Sequence, residues 1–310
     1  MVKSGREYST QTRPWSIDTP REPPAHFSLA ENKSPARGSK PERRRANYPR
    51  TMRAIYSVLF WLFFATSCAV LFLLGCLVWL ITTPFDPNGR VQHLYSSAWA
   101  MLYFYVNPLW QVRVEGRQKL PWKGGAVFVS NHESIGDILV LFGLYRPFKW
   151  ISKESVFKAP FLGWNMSLNR YVPLRRGDKE SVTRMMTQCE EWLDRGVPVM
   201  MFPEGTRSPD GNLLPFKDGA FRLAINKQVP IYPIVLTGTR DTLPKHGIVL
   251  NESSSCVVRV LDPVDPKPFG EDLAGLREHV RCLISAERAR MLGARDHLAV
   301  NTASTSLPAR

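Results

Sequence analysis

Short apolar runs alternate with segments of helical periodicity over the second part of the chain. The runs at 126–130, 198–202, 231–236 and 256–261 have the length and apolar character of buried strands. Between the first two runs, apolar residues recur at helical spacing in a segment opened by Asp178, a predicted helix N-cap. A final helix is predicted over 271–291. Strands that alternate with helices indicate an α/β fold, a layered sheet flanked by helices.

A different pattern precedes this part of the chain. Residues 54–83 contain no Asp, Glu, Lys or Arg, and thirty helical residues extend about 45 Å, more than the roughly 30 Å of a bilayer's hydrocarbon core. Residues 91–112 also lack these residue types and are rich in Tyr, Trp and Phe. We predict a transmembrane or re-entrant helix at 54–83 and a second membrane or interfacial helix at 91–112. Residues 54–112 are thus a predicted membrane anchor formed by a helix pair.

Charge divides the chain further. Residues 1–53 hold twelve Lys or Arg and five Asp or Glu, which is half of the chain's net charge of +14, together with seven prolines. This composition predicts a disordered basic tail whose arginines hold anionic lipid, with a merely solubilising tail as the alternative. Residues 113–292 are the predicted main domain, and 293–310 a frayed C-terminal tail.

The distribution of basic residues also predicts topology. They precede the first apolar segment and follow the second, so the positive-inside rule leaves both ends in the cytoplasm, with a helical hairpin dipping into the bilayer. A single span would put the main domain outside.

The five cysteines form no CxxC pair, which argues against a zinc site and a disulfide scaffold. Outside the tail the positive charge is spread thinly, which weakens the case for a nucleic-acid groove.

The first candidate site follows the predicted strand 126–130. His132 stands where α/β sheets place ligands, and imidazole is well suited to accept a proton near neutral pH. Asp137 can reach it only if His132 lies on the loop and Asp137 in the first helical turn, where the carboxylate would fix the imidazole tautomer, as in a catalytic triad. No motif in the sequence identifies a serine as the nucleophile, so a hydroxyl group of the substrate would act as the nucleophile. A His that caps a helix, beside a surface Asp, is the alternative.

The second candidate site is the segment FPEGTRS at 202–208, directly after a predicted strand. A glycine-containing loop there can present backbone N–H groups to an anion, and Arg207 can add a bidentate phosphate contact. An ordinary turn with a surface arginine is the alternative.

The sequence has no GxSxG, GxxxxGK[ST], GxGxxG or HExxH motif. His246 follows the predicted strand 231–236 and is expected to be a surface loop residue rather than part of the cleft.

Six sequence blocks together resemble the glycerolipid acyltransferases, in particular the 1-acylglycerol-3-phosphate acyltransferases. They are NHxxxxD at 131–137, ISKE with FLGW at 151–164, YVPLRRGD at 171–178, FPEGTRS at 202–208, FKDGAF at 216–221 and VPIYPI at 229–234. The similarity extends over about 112–263, and the helix-pair anchor also resembles this family. Glu133 is a departure, since many members have Gln there.

The resemblance implies transfer of a fatty acyl group from acyl-CoA or acyl-carrier protein to the sn-2 hydroxyl of lysophosphatidic acid, giving phosphatidic acid. It implies that His132 is the general base and Asp137 its orienting partner. It assigns acceptor binding to the motif residues Glu204, Gly205, Thr206 and Arg207, and the acceptor phosphate to Arg207, Lys153 and Arg176. A hydroxyl that attacks a thioester needs a base and a cationic clamp, so we expect no metal and no cofactor.

The expected partners are the lipid bilayer, lysophosphatidic acid and the acyl thioester, with no nucleic acid. The expected location is a membrane with the domain facing the cytoplasm: a bacterial inner membrane, with a plastid or endoplasmic reticulum membrane as the alternatives. Two other functions stay open, an acyltransferase of the same fold acting on another lysophospholipid or lyso-aminolipid, and a catalytically silent membrane scaffold. The scaffold hypothesis predicts that key residues of the two motifs are replaced. The residues His132, Asp137, Glu204 and Arg207 are all present.

Overall fold

The computed structural model describes residues 50–209, 211–242, 250 and 253–304. The predicted basic tail lies almost wholly outside the described residues, as do His246 and the end of the predicted C-terminal tail.

A seven-stranded sheet forms the centre of the fold. Its strands are β1 (Trp110–Glu115), β2 (Val127–Ser130), β3 (Lys149–Lys153), β4 (Val172–Leu174), β5 (Val199–Met201), β6 (Ile231–Thr237) and β7 (Ser254–Val260). They are ordered β1-β7-β6-β2-β5-β3-β4. Pairing is parallel except between β6 and β7. The carboxyl ends of β2, β3, β5 and β6 therefore meet at one edge of the sheet, where both candidate motifs begin.

Helices cover both faces of this sheet. They are α1 (Arg50–Thr82), α2 (Arg90–Tyr105), α3 (Gly136–Phe142), α4 (Leu162–Leu168), α5 (Lys179–Asp194), α6 (Gly219–Lys227) and α7 (Leu273–Ser304). Strand β2 shows how the layers divide, since successive side chains of a strand point to opposite faces. Phe128 packs in the core on the α1–α3 side, whereas Val127 and Val129 pack in the core formed with α5, α6 and α7. The α/β class predicted from the sequence is confirmed.

The four predicted strands coincide with β2, β5, β6 and β7 to within two residues at either end. The Asp178 carboxylate accepts hydrogen bonds from the N–H groups of Glu180 and Ser181, the predicted N-cap of α5. The last helix continues beyond its predicted end to Ser304, into the segment expected to be frayed. The sequence does not predict β1 and β3, because charged or polar residues interrupt their apolar runs, or β4, because it has only three residues.

Helix α1 has an exposed apolar face and a face that packs on the rest of the protein. By length and composition, it is the one helix among the described residues that could cross a membrane. Near its start, the Ser57 hydroxyl accepts a hydrogen bond from the Leu250 N–H at 3.0 Å. Farther along, the Tyr95 hydroxyl donates to the Leu71 carbonyl at 2.6 Å, and the Phe72 ring lies 5.5 Å from that of Trp164. The helix therefore runs alongside the domain instead of extending away from it.

Helix α2 corrects the predicted anchor. It ends at Tyr105, and the predicted second membrane segment continues instead into β1. Gln92, His93, Ser96 and Ser97 of α2 are all at most 3% exposed. Ser96 Oγ accepts hydrogen bonds from Asn165 and Asn169 side chains near α4. The aromatic, uncharged composition of this segment thus reflects burial in protein, and a pair of membrane helices is not confirmed.

Candidate active site

The loop after β2 brings His132 and Asp137 together. His132 lies on the loop and Asp137 in the first turn of α3, the arrangement that the five-residue spacing requires. His132 Nδ1 lies 2.7 Å from Asp137 Oδ2. Because a carboxylate accepts, Nδ1 donates, and the neutral imidazole then carries its free lone pair on Nε2. The His132 side chain is 10% exposed and that of Asp137 is fully buried.

Asp137 is held by every polar group around it. Its Oδ2 atom also accepts hydrogen bonds from the N–H groups of Glu133 at 2.6 Å and Ser134 at 2.9 Å. Its Oδ1 atom accepts a short hydrogen bond from the Thr239 hydroxyl, which follows β6. Hydrogen bonds that reach a carboxylate from several segments of the chain fix its orientation. The carboxylate is therefore set in place before any substrate arrives.

Glu204 connects the two motifs. Its Oε1 atom accepts the backbone N–H of His132 at 2.7 Å, and Oε2 accepts the N–H of Leu214 at 2.9 Å. The Ser208 N–H in turn donates to the His132 carbonyl at 2.9 Å. Burial raises the pKa of the Glu204 carboxyl, and the two backbone hydrogen bonds oppose that rise. Glu204, which was predicted to bind the acceptor, holds the His132 loop through Oε1 and the segment at Leu214 through Oε2.

The imidazole ring is supported from one side by an aromatic stack. The rings of His132 and Phe202 are nearly parallel, with centroids 4.0 Å apart, and Phe202 stacks in turn on Trp150 at 5.6 Å. The hydrogen bond to Asp137 and this stack together restrict the rotation of the ring. The Nε2 lone pair is thereby aimed in a defined direction.

His132 and Gly205 line one small pocket, of about 80 Å³, together with two of the predicted phosphate ligands, Lys153 and Arg176. Lys153 and Arg176 also line an adjoining open cleft of about 410 Å³. Both cations are exposed, and neither has a hydrogen-bond or ion-pair partner among the residues described. The structure therefore brings a positioned base and two available cations to one concave surface.

The rest of the second motif forms the adjacent turn. Gly205 has a φ of 70°, and a Cβ there would lie 2.8 Å from Lys217 Nζ, so the turn requires glycine. Thr206 and Arg207 are exposed on the same loop. Arg207 does not line the small pocket, and within the described part of the chain it has no hydrogen-bond or ion-pair partner.

Two residues that hold the site were given no role by sequence reasoning. Asn131 exchanges two hydrogen bonds with the backbone of Leu236, which ties the end of β2 to β6. Thr239 fixes Asp137 from the turn after β6. The only signal for Thr239 was its position directly after a predicted strand, a position that it shares with both motifs.

Comparison with known proteins identifies the family to which this fold belongs. A model of the Acyltransferase family matches residues 111–237. The crystal structure of the 1-acyl-sn-glycerophosphate acyltransferase PlsC from Thermotoga maritima superposes with a TM-score of 0.64 at 26% identity, over 77% of this chain and 98% of that one. Fold and site thus define an acyltransferase-type protein.

Sequence relatives narrow the class. A 1-acyl-sn-glycerol-3-phosphate acyltransferase of Chlamydomonas reinhardtii is 36% identical over 71% of this chain and 67% of its own length. The chloroplastic 1-acyl-sn-glycerol-3-phosphate acyltransferase LPAT1 of Arabidopsis thaliana is 41% identical over 58% of this chain. This chain spans about half the length of the Arabidopsis protein. The chain belongs to the glycerolipid acyltransferase family, with 1-acyl-sn-glycerol-3-phosphate acyltransferases as its relatives.

Proposed function

We propose that this protein transfers a fatty acyl group from an acyl thioester to the sn-2 hydroxyl of lysophosphatidic acid and releases phosphatidic acid. The observation that carries the proposal is the His132–Asp137 hydrogen bond of 2.7 Å beside a pocket lined by Lys153 and Arg176, two cations with no ion-pair partner in the described part of the chain. The relatives named 1-acyl-sn-glycerol-3-phosphate acyltransferases support the choice of acceptor.

The reaction needs one proton relay. His132 Nε2 removes the proton of the acceptor hydroxyl while its oxygen attacks the thioester carbonyl. Asp137 stabilises the imidazolium that forms. Collapse of the tetrahedral intermediate breaks the C–S bond, and the imidazolium returns its proton to the leaving thiolate. The products are the ester and a free thiol, and His132 is again neutral.

The cations supply binding. We infer that Arg207, Lys153 and Arg176 hold the acceptor phosphate, since a guanidinium can bind phosphate in a bidentate manner and a lysine adds a point charge. Gly205 and Thr206 form the turn that presents Arg207, and Glu204 fixes that turn to the His132 loop. Binding the phosphate at one end orients the hydroxyl at the other.

Replacing Arg207 with alanine is expected to raise the KM for the acceptor about tenfold and to leave kcat nearly unchanged. A phosphate clamp contributes equally to the ground state and the transition state, so its loss appears in KM. Initial rates at varied acceptor concentration measure the effect. Arg113→Ala, on the edge strand β1, is the matched control and should change neither constant. A rise confined to the KM of the thioester would contradict the phosphate assignment.

We also propose that the reaction uses no metal and no cofactor, with acyl-CoA or acyl-carrier protein as co-substrate. The proton transfer is assigned to His132 and the phosphate charge to side-chain cations, so each required role has a residue. Dialysis against EDTA is expected to leave kcat within about twofold of its starting value. A loss that added Mg²⁺ or Zn²⁺ restored would overturn this part of the proposal.

Membrane attachment is assigned to α1. Its exposed face carries large apolar side chains, among them Leu73 at 67% and Leu77 at 51% exposure. We infer that this face enters the bilayer while the domain stays on the cytoplasmic side, consistent with the basic residues that flank the apolar segment. Relatives from a chloroplast and from Thermotoga maritima keep both a plastid membrane and a bacterial inner membrane as candidates.

Introducing lysine at both Leu73 and Leu77 should weaken binding to phospholipid vesicles at least tenfold, because each charge on a lipid-facing helix costs about 2.5–3.5 kcal/mol near the bilayer centre. Vesicle co-sedimentation measures this partition. Val182→Lys, at an exposed apolar position on α5, is the control. Equal binding of the double variant and the control would contradict the assignment of α1.

An acyl-transfer assay on membranes that contain the protein tests the main proposal. The assay offers one labelled acyl-CoA with a panel of lysophospholipids, and then acyl-carrier protein as donor. Label in phosphatidic acid that is absent with His132→Ala supports the proposal. Label in another lipid would show that the acceptor is a different lysolipid. The absence of label with either donor would favour the scaffold alternative.

A further inference from the structure

A buried ion pair joins the catalytic loop to the terminal helix. Arg288 of α7 donates from both Nε and Nη2 to one oxygen, Oε1, of Glu133, at 2.9 and 2.8 Å. The side chains of Glu133 and Arg288 are 6% and 17% exposed. Burial raises the pKa of Glu133, and the charge of Arg288 opposes that rise. The pair lies inside the protein and 155 residues separate its members, so it is not a local helix contact.

Glu133 transmits this contact to the catalytic pair. It is the residue between His132 and the first turn of α3, and its backbone N–H donates to Asp137 Oδ2 at 2.6 Å. That is the same oxygen that accepts from His132 Nδ1. A movement of the Glu133 side chain would therefore turn the peptide that contacts Asp137. The direction of the imidazole depends on that contact.

Helix α7 is fixed at this turn independently of Arg288. The adjacent residue, Glu287, forms a short ion pair with Arg259 of β7, and Arg259 pairs with Glu115 of β1 at 2.6 Å. Ile284 and Met291 of the same part of α7 are buried in the core. Arg288 therefore extends from a rigid helix and can act as a fixed point for the loop.

We propose that Arg288, acting through Glu133, is a positioning residue that sets the orientation of the His132–Asp137 pair. The inference rests on the proposed function for its kinetic test. Both hydrogen bonds from Arg288 converge on Oε1. Residue 133 therefore needs an oxygen acceptor at that position, and it does not need a negative charge. Buried ion pairs often add little net stability relative to apolar residues, which makes a positioning role separable from a stabilising one.

Kinetics of the matched variants test this role. Arg288→Met is expected to lower kcat about tenfold, with both KM values within about twofold, because a displaced base affects the transition state most. Glu133→Gln keeps the oxygen acceptor and should restore most of the kcat that Glu133→Leu loses. Glu287→Leu breaks the neighbouring ion pair, but the buried Ile284 and Met291 still hold α7 against the core. This variant should therefore lower the Tm and leave kcat unchanged. Unchanged kcat in Arg288→Met would overturn the inference.

The double variant Glu133→Leu, Arg288→Met separates positioning from folding. Removing both partners leaves no buried unpaired charge, so its Tm should recover toward that of the wild type. Its kcat should stay as low as that of Arg288→Met, since the loop still lacks its fixed point. Recovery of kcat together with Tm would mean that the pair is only structural, and the inference would fail.

A substrate-free measurement distinguishes this inference from the proposed function. In ¹⁵N-histidine-labelled protein, with His132→Ala to assign the signal, the imidazole resonances of His132 should shift in Arg288→Met and not in Glu287→Leu. If the wild type transfers no acyl group, the proposed function is wrong. These spectra then still test whether Arg288 positions His132. An unshifted His132 signal in Arg288→Met would refute it.

Discussion

Replacing His132 with alanine is expected to lower kcat by about 10²- to 10⁴-fold, the range that a positioned general base contributes. Both substrates are still supplied and the variant retains the cationic residues, but it has no group to accept the proton of the hydroxyl. Acyl transfer measured with saturating substrates, from initial rates or single turnovers, gives the change in kcat directly. Near-normal activity would contradict the assignment of His132 as the base.

The fold should tolerate this change. The hydrogen bonds of His132 to Glu204 and Ser208 come from its backbone, so alanine retains them. The side chain contributes the stack on Phe202 and the hydrogen bond to Asp137. Asp137 keeps three other donors in the alanine variant, so the Tm should fall by only a few degrees. His279→Ala, an exposed histidine on α7, is the control for nonspecific effects and should leave both kcat and Tm unchanged.

Replacing Asp137 with asparagine is expected to lower kcat on the order of 10³-fold while the protein stays folded. The amide oxygen of Asn can occupy the position of Oδ2 and accept from the N–H groups of His132, Glu133 and Ser134. Its NH₂ group then faces the Thr239 hydroxyl, which can rotate to accept. The geometry is retained, whereas the negative charge that stabilises the imidazolium is lost. Rate measurements with circular dichroism test both statements.

Asp137→Ala is the informative comparison. It removes the acceptor from four donors, namely the His132 ring, the Thr239 hydroxyl and two backbone N–H groups, and each unsatisfied buried group costs about 1–3 kcal/mol. The alanine variant should therefore lose thermal stability that the asparagine variant keeps, with both nearly inactive. If Asp137→Asn retained its kcat, the carboxylate would serve geometry alone and its charge would have no part in the reaction.

The strands that were predicted and those that were not differ in burial. Strands β2 and β6 are covered on both faces, so every residue is buried and apolar runs mark them in the sequence. Strand β3 begins and ends with lysine, and β4 has three residues. A strand that is interrupted by charges or is only three residues long carries no periodic signal, and both strands form because neighbouring strands supply hydrogen-bond partners.

Helix α2 illustrates the same limit. An uncharged, aromatic-rich helix has the same composition whether lipid or protein covers it. Only the packing distinguishes the two environments, and here Asn165 and Asn169 meet the polar side chains of α2 inside the protein. The exposed apolar face of α1, by contrast, follows from composition and length directly.

The sequence by itself determined the α/β class, the apolar helix α1 and the His132–Asp137 pair, because each depends on residues close together along the chain. Tertiary structure decided which groups hold that pair: Glu204, Thr239 and Arg288 reach it across 72, 102 and 155 residues of sequence. No local pattern records such contacts, since they depend on how the sheet orders its strands and where α7 packs. The proposed base can thus be found in the sequence, but its orientation is a property of the fold.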